Sequence, residues 1–146
     1  MTKRILVVED TEDNRRIVRD LLTSVGYELI EAMDGAEGVA LAQSAQPDLI
    51  LMDIQLPVVD GYEATTTIRA WERANNRRRT PILALTASAL EEAMHRTKAA
   101  GCDAHVTKPV KKSTLLDAIR NAMERNPLDG ERADVASLEV ETCPTE

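Results

Sequence analysis

Five short apolar runs, each followed by a stretch of helical spacing, leave this chain few folds to choose from. The runs are Arg4–Val8, Tyr27–Glu31, Leu49–Met52, Pro81–Leu85 and Ala104–Thr107, each of strand length and bounded by turn residues. A helix start at Asp13-Asn14 precedes Ile17, Val18, Leu21, Leu22 and Val25 as an inner stripe, with Gly26 as its stop. Ala36, Val39 and Ala40 give one face of a second helix reaching to Pro47, and its many alanines imply close packing. Ala64, Ile68 and Trp71 mark a third helix; Leu90, Ala93, Met94 and Thr97 mark a weaker fourth, closed by Gly101. Ser113 caps a last one with Leu116, Ile119 and Met123 inside. Parallel strands need a crossover between them, usually a helix, so five such alternations predict an α/β domain with helices on both faces of a parallel sheet.

The ends of those strands carry the chemistry. Leu49, Ile50, Leu51 and Met52 form the continuous apolar run of a central strand covered on both faces, and the run stops at Asp53, ahead of Gln55 and Pro57. Taken alone, this acid is either a turn cap or a group held at the edge where open α/β sheets bind ligands. The first run ends in Glu9 and Asp10, the fourth in Thr86-Ala87-Ser88, the fifth in Lys108-Pro109. Parallel strands present their carboxyl ends on one edge, so Glu9, Asp10, Asp53, Thr86 and Lys108 are expected in one crevice. Three crowded carboxylates repel unless a cation sits among them. Short acids offer hard oxygen ligands that suit Mg²⁺, which keeps waters and pairs with phosphate. A lysine and a hydroxyl opposite the metal make a receptacle for phosphoryl oxygens.

Composition narrows the function from the other side. The 146 residues suit one domain with a real core, built without Phe and with Trp71, Tyr27 and Tyr62 as the aromatic residues. Stacking platforms for bases or flavins are therefore nearly missing. The net charge of −7 argues against a phosphate-backbone binder and for a soluble acidic protein, with Arg77-Arg78-Arg79 read as a solvated loop. Cys102 and Cys143 lack metal-ligand spacing and read as reduced thiols. With no signal-peptide pattern and no apolar run approaching the roughly 20 residues of a membrane helix, a cytoplasmic protein is expected.

Val8-Glu9-Asp10, Met52-Asp53-Ile54-Gln55-Leu56-Pro57 with Asp60-Gly61, Leu85-Thr86-Ala87 and Thr107-Lys108-Pro109, in this order and spacing, resemble the motifs of receiver domains of two-component response regulators. The resemblance covers residues 3 to about 125, and Asp48 to Pro57 looks most like stand-alone cell-cycle regulators of the DivK kind and hybrid-kinase receivers. It implies a CheY-like, flavodoxin-like (βα)5 doubly wound sheet with strand order 2-1-3-4-5, an order known for this fold in general. It implies further that Asp53 accepts a phosphoryl group from a histidine kinase or phosphotransfer protein, and that Asp10, Asp53 and the Gln55 carbonyl hold Mg²⁺ directly. Glu9, where Asp is commoner, would act through a metal-bound water.

Lys108 would pair with Asp53 at rest and with a phosphoryl oxygen afterwards, Pro109 would follow a cis peptide, and Thr86 would bond the phosphoryl group. Gln55 and Ser88 would tune water access. The family usually has Tyr or Phe three residues before the lysine; here it is His105. An imidazole there keeps a rotamer switch with Thr86 and adds a charge choice near neutral pH, while the plainer reading is a small ring that does not titrate. His95 reads as a solvated helix residue. Asn14, Arg15, Arg16 and Val18 would form the kinase-docking face.

These features set the expected function: a single-domain response regulator that switches a protein-binding surface and is no enzyme beyond promoting its own phosphorylation and dephosphorylation. The alternative within the family is a phosphorelay shuttle serving a histidine phosphotransfer protein. A haloacid-dehalogenase-type phosphatase also uses a strand-terminal Asp with Mg²⁺, but wants an acid where Gln55 stands. Neither nucleic acid nor membrane is expected as a partner. Residues 1–125 are read as the receiver and 126–146 as a flexible acidic tail, since 127–146 hold six acids and one Arg.

Overall fold

The computed structural model describes residues 3–56, 59–87 and 91–124. Strands β1 (Arg4–Val8), β2 (Glu28–Ala32), β3 (Leu49–Asp53), β4 (Ile82–Thr86) and β5 (Ala104–Thr107) alternate with helices α1 (Glu12–Thr23), α2 (Gly35–Ala45), α3 (Gly61–Ala74), α4 (Glu91–Ala100) and α5 (Lys112–Glu124). Every neighbouring pair of strands is parallel and the order is β2-β1-β3-β4-β5, as the family resemblance implies.

Side chains alternate across the sheet, so each strand feeds two cores. Ile5, Val7, Leu49, Leu51, Leu83 and Leu85 pack with Val18 and Leu22 of α1 and with Leu115 and Ile119 of α5. Leu6, Val8, Ile50, Met52 and Ile82 face Ala42 of α2 and Ala64 and Ile68 of α3. All five residues of β3 are buried. Each large aliphatic side chain buried there contributes about 1.5–3 kcal/mol, which anchors the strand whose last residue is Asp53.

The helices hold the surprises. α1 begins at Glu12, its inner line is Arg15, Val18 and Leu22, and Ile17 and Val25 are half exposed. Ile17 sits one residue, about 100° of helical rotation, from Val18 and so points away from the sheet. In α2 the exposed residues include Ala36 and Ala40, while Gly35, Gly38 and Ala42 face inward. Close packing there comes from glycine: a Cβ on Gly38 would lie 2.9 Å from a Val8 methyl, and one on Gly35 would overlap the Val59 carbonyl oxygen. In α3 Trp71 is only half buried, and Arg69 and Glu72 continue the inner line. Ser113 lies inside the first turn of α5 rather than at its cap, and Leu115, Ile119 and Ala122 are its buried face, with Leu116 and Met123 partly buried. β2 runs one residue later than expected, from Glu28 to Ala32. Pro57, Ser88, Leu90 and the acidic segment 126–146 lie outside the described residues.

Buried charge at the amino-terminal edge of the sheet explains the inward Arg69. Its guanidinium donates to Glu72 Oε1 at 2.9 Å, Asp103 Oδ2 at 2.9 Å, the Thr80 carbonyl at 2.7 Å and the Gly101 carbonyl at 3.0 Å. Helix α3, the segment before β4 and the turn between α4 and β5 are thereby pinned together. Of the triple arginine, Arg79 joins Asp103 at 3.1 Å and Arg77 lies 5.6 Å over the Trp71 ring.

Candidate functional site

The opposite edge of the sheet gathers the acids. Val8 pairs with Met52, so β1 and β3 end side by side; Asp53 then pairs with Leu85, and Thr86 with Thr107. Glu9, Asp10 and Asp53 each offer a carboxylate oxygen within 4.8 Å of the others. Glu9 and Asp53 are 1% and 2% exposed, whereas Asp10 faces solvent. Lys108 reaches in from beyond β5, its Nζ 3.0 Å from Asp53 Oδ2 and 3.2 Å from Glu9 Oε1. Its main-chain N–H donates to the Thr86 carbonyl at 2.7 Å, and the Lys108-Pro109 peptide is cis.

Local hydrogen bonds fix the two buried acids. The Gln55 N–H donates to Asp53 Oδ1 at 3.0 Å. Glu9 Oε2 accepts from the Thr11 N–H at 3.2 Å and from Asn14 Nδ2 at 3.4 Å, leaving Oε1 to Lys108. The loop after β3 folds back through Gly61, whose N–H donates to the Ile54 carbonyl at 3.0 Å. A Cβ at Gly61 would overlap the Asp53 carbonyl oxygen, so the start of α3 approaches the acid only because that residue is glycine. Asp60 caps α3 by accepting from the Glu63 N–H at 2.8 Å.

Electrostatics separates the two buried carboxylates. Burial pushes Asp53 up to about 6; the Lys108 hydrogen bond opposes this, and the adjacent Glu9 reinforces it. Burial also raises Glu9, but bonding to Asp53, the Lys108 charge and the Thr11 N–H outweigh it, so Glu9 lies below the usual carboxylate range. Lys108 is lowered by burial yet held above its ordinary value by Asp53 and Glu9. When all are ionised, the three acids and one ammonium leave a net charge of −2, which a divalent cation would offset. An all-carboxylate oxygen donor set of this spacing fits Mg²⁺.

Glu9, Asp10, Asp53 and Lys108, expected together from the sequence, are thus in one cluster, with Thr86 buried at the neighbouring strand end and Gln55 exposed at the rim. His105 is half buried, pairs with Ala84 and lies two residues before Thr107 on the same sheet face. Burial lowers its pKa below the ordinary imidazole value, because the charged ring loses its solvation there. His95 is exposed on α4, as expected. Arg15 and Val18, expected on a docking face, are buried instead. The direct Glu9–Lys108 pair and the Asn14 contact were not anticipated; the extra methylene of Glu over Asp supplies the reach.

A family model described as the response regulator receiver domain matches residues 5–120. This chain is a response regulator receiver domain. The polar-differentiation response regulator DivK of Brucella ovis is 40% identical over 121 residues, covering 83% of this chain and 96% of that protein. Among solved structures, the receiver domain of a Pseudomonas aeruginosa sensor histidine kinase, with a magnesium ion coordinated in its active-site cleft, superposes with a TM-score of 0.77 at 38% identity, covering 85% of this receiver and 99% of that chain. A chain from the co-crystal structure of the Saccharomyces cerevisiae phosphotransfer protein Ypd1 and the receiver domain of its downstream response regulator Ssk1 gives a TM-score of 0.79 at 31% identity, covering 85% and 90% respectively. The receiver is therefore a two-component signalling module of DivK and CheY type. Among the described residues, no helix is long and apolar enough to cross a membrane.

Proposed function

We propose that Asp53 is the phosphoryl acceptor of this receiver, and that the donor is a phosphohistidine on a sensor kinase or phosphotransfer protein. The single observation behind this reading is the position of Asp53: a buried carboxylate with Lys108 on one oxygen, the Gln55 N–H on the other, and two further acids beside it. In the reaction the P–N bond breaks, an Asp53 oxygen forms the new P–O bond, and the nitrogen keeps the electron pair and takes a proton. A pKa of about 6 leaves Asp53 mostly ionised at neutral pH and ready to attack.

Glu9, Asp10 and Asp53, with the Gln55 carbonyl, would hold Mg²⁺, which neutralises phosphoryl oxygen charge on a loosely bonded transition state. Lys108, paired with Asp53 at rest, moves its ammonium to a phosphoryl oxygen. Thr86, at the adjoining strand end, donates its hydroxyl to the same group, and His105 repacks as Thr86 moves. The output is a changed protein-binding surface in a cytoplasmic regulator. Residues 1–125 form the working unit, with 126–146 as an acidic appendage.

Partner docking is best placed on α1 beside the acid pair. Half-exposed Ile17, with Asn14 and Arg16, supplies an apolar anchor and a polar rim there. The likeness to the Ssk1 co-crystal also favours a second reading, in which the receiver shuttles its phosphoryl group onward to a phosphotransfer protein.

Incubation with a radiolabelled, phosphorylated phosphotransfer protein tests both. Label is expected to move to wild type but not to Asp53→Asn, and to move about tenfold more slowly to Ile17→Ser. Return of label to added unphosphorylated partner supports the shuttle; transfer to Asp53→Asn overturns the acceptor assignment.

A further inference from the structure

Building on the reading of Glu9, Asp10 and Asp53 as a magnesium site, we propose that Arg15 is a positioning residue for that site. Its buried guanidinium fixes the turn between β1 and α1 that carries two of the three acids. The Arg15 side chain is 9% exposed, an unusual place for a charge on a surface helix. Nη1 donates to the Glu9 carbonyl at 2.8 Å, Nη2 donates to Glu12 Oε1 at 2.6 Å, and Nε lies 3.3 Å from Glu31 Oε1. One planar group thus joins the acid-bearing turn, the first residue of α1 and strand β2. Arg19 closes the arrangement from the next turn, donating to both Glu31 oxygens at 2.7 and 2.9 Å.

The place where Arg15 bonds matters. The Glu9 N–H still joins the sheet, donating to the Ala32 carbonyl at 3.0 Å, and the first α1 bond runs from the Arg15 N–H to the Thr11 carbonyl at 3.0 Å. Between these two lie the residues whose carboxylates must converge, and Arg15 gives the buried Glu9 carbonyl a donor at the point where ladder gives way to helix.

Its effect on the acids is geometric. The positive charge faces Glu12 and Glu31, which lie outside the acid cluster and offset it. An ammonium keeps the charge but cannot span three acceptors in a plane, so Arg15→Lys separates fork from charge. Magnesium demands near-octahedral ligands at short range, so a turn that drifts costs it affinity.

Arg69 supplies a matched control. It is an equally buried, multiply bonded arginine, but it sits at the far edge of the sheet and touches nothing near the acids.

The test is calorimetric titration of MgCl₂ into the 146-residue wild type, Arg15→Lys and Arg69→Lys, together with amide hydrogen exchange on the metal-free proteins. Arg15→Lys is expected to weaken Mg²⁺ binding about tenfold, the low end of what removing a group behind a metal ligand costs. It is also expected to speed exchange of the Thr11 N–H, which Glu9 Oε2 holds. Arg69→Lys is expected to lower the melting temperature and leave Mg²⁺ affinity at the wild-type value. Wild-type affinity in Arg15→Lys, or equal weakening in Arg69→Lys, overturns the proposal. Absence of Mg²⁺ binding by the wild type itself removes the magnesium reading and this inference with it, a result distinct from a failure of Arg15 alone. If Arg15→Lys does not fold, Glu31→Gln is titrated in its place: weaker binding supports the role and unchanged binding overturns it.

Discussion

At the scale of single residues, Asp53 holds a carboxylate where the fold disfavours one. Its native pKa is about 6, while an unfolded Asp titrates near ~4. Between those values the native state binds more protons than the unfolded chain, so Asp53 contributes stability below pH ~4 that is lost as pH rises through about 6. At ~1.4 kcal/mol per unit the whole shift, with the opposing Lys108 and the reinforcing Glu9 already included, is worth about 3 kcal/mol. Asp53→Asn removes the buried charge and keeps an oxygen for the Gln55 N–H. It is expected to stabilise the metal-free protein by about 1–2 kcal/mol at pH 7, with the gain shrinking towards pH 4. Urea denaturation across that range in the presence of a chelator measures this; a loss of stability at pH 7 would mean that Asp53 rests as a well-compensated ion pair. The proposed acceptor role gives a reason for a destabilising acid at this position.

At the scale of elements, the strands were legible and the helix faces only partly so. A strand buried on both sides is apolar along its length, and β3 and β4 are so up to their last residues, Asp53 and Thr86, so their apolar runs locate them. Helices were read by apolar residues at helical spacing, which cannot see an inner line made of glycine or of paired charge. In α2 the buried positions are Gly35, Gly38 and Ala42; in α1 Arg15 shares the inner line, and in α3 Arg69 and Glu72 do. Arg15, Val18 and Leu22 follow one helical line, so the spacing is present in the sequence, but an arginine reads as solvent-facing unless its acid partners are known. Gly35→Ala, which drives a methyl into the Val59 carbonyl, is expected to cost about 3 kcal/mol, against about 1 kcal/mol for Ala40→Gly on the exposed side of the same helix. Thermal denaturation of the two variants compares them directly, and equal losses would mean that α2 does not press on the loop before α3.

At the scale of the whole molecule, the site exists because a parallel sheet aligns its carboxyl ends. Residues 44 positions apart in sequence, Glu9 and Asp53, meet at one lysine a further 55 positions along. The sequence made that convergence legible, because acid, hydroxyl and lysine each follow a strand; the family motifs supplied the strand order, which no periodicity encodes. What stayed hidden was the scaffold under the turn, where one arginine binds helix, strand and acid-bearing loop together. Whether this edge forms a magnesium-dependent acceptor at one carboxylate is decided by peptide-mapped mass spectrometry after incubation with Mg²⁺ and acetyl phosphate. A single base-labile phosphoryl adduct on Asp53, abolished by a chelator and absent from Asp53→Asn, is the predicted result. An adduct on another residue, or one formed equally well without a divalent ion, would contradict it.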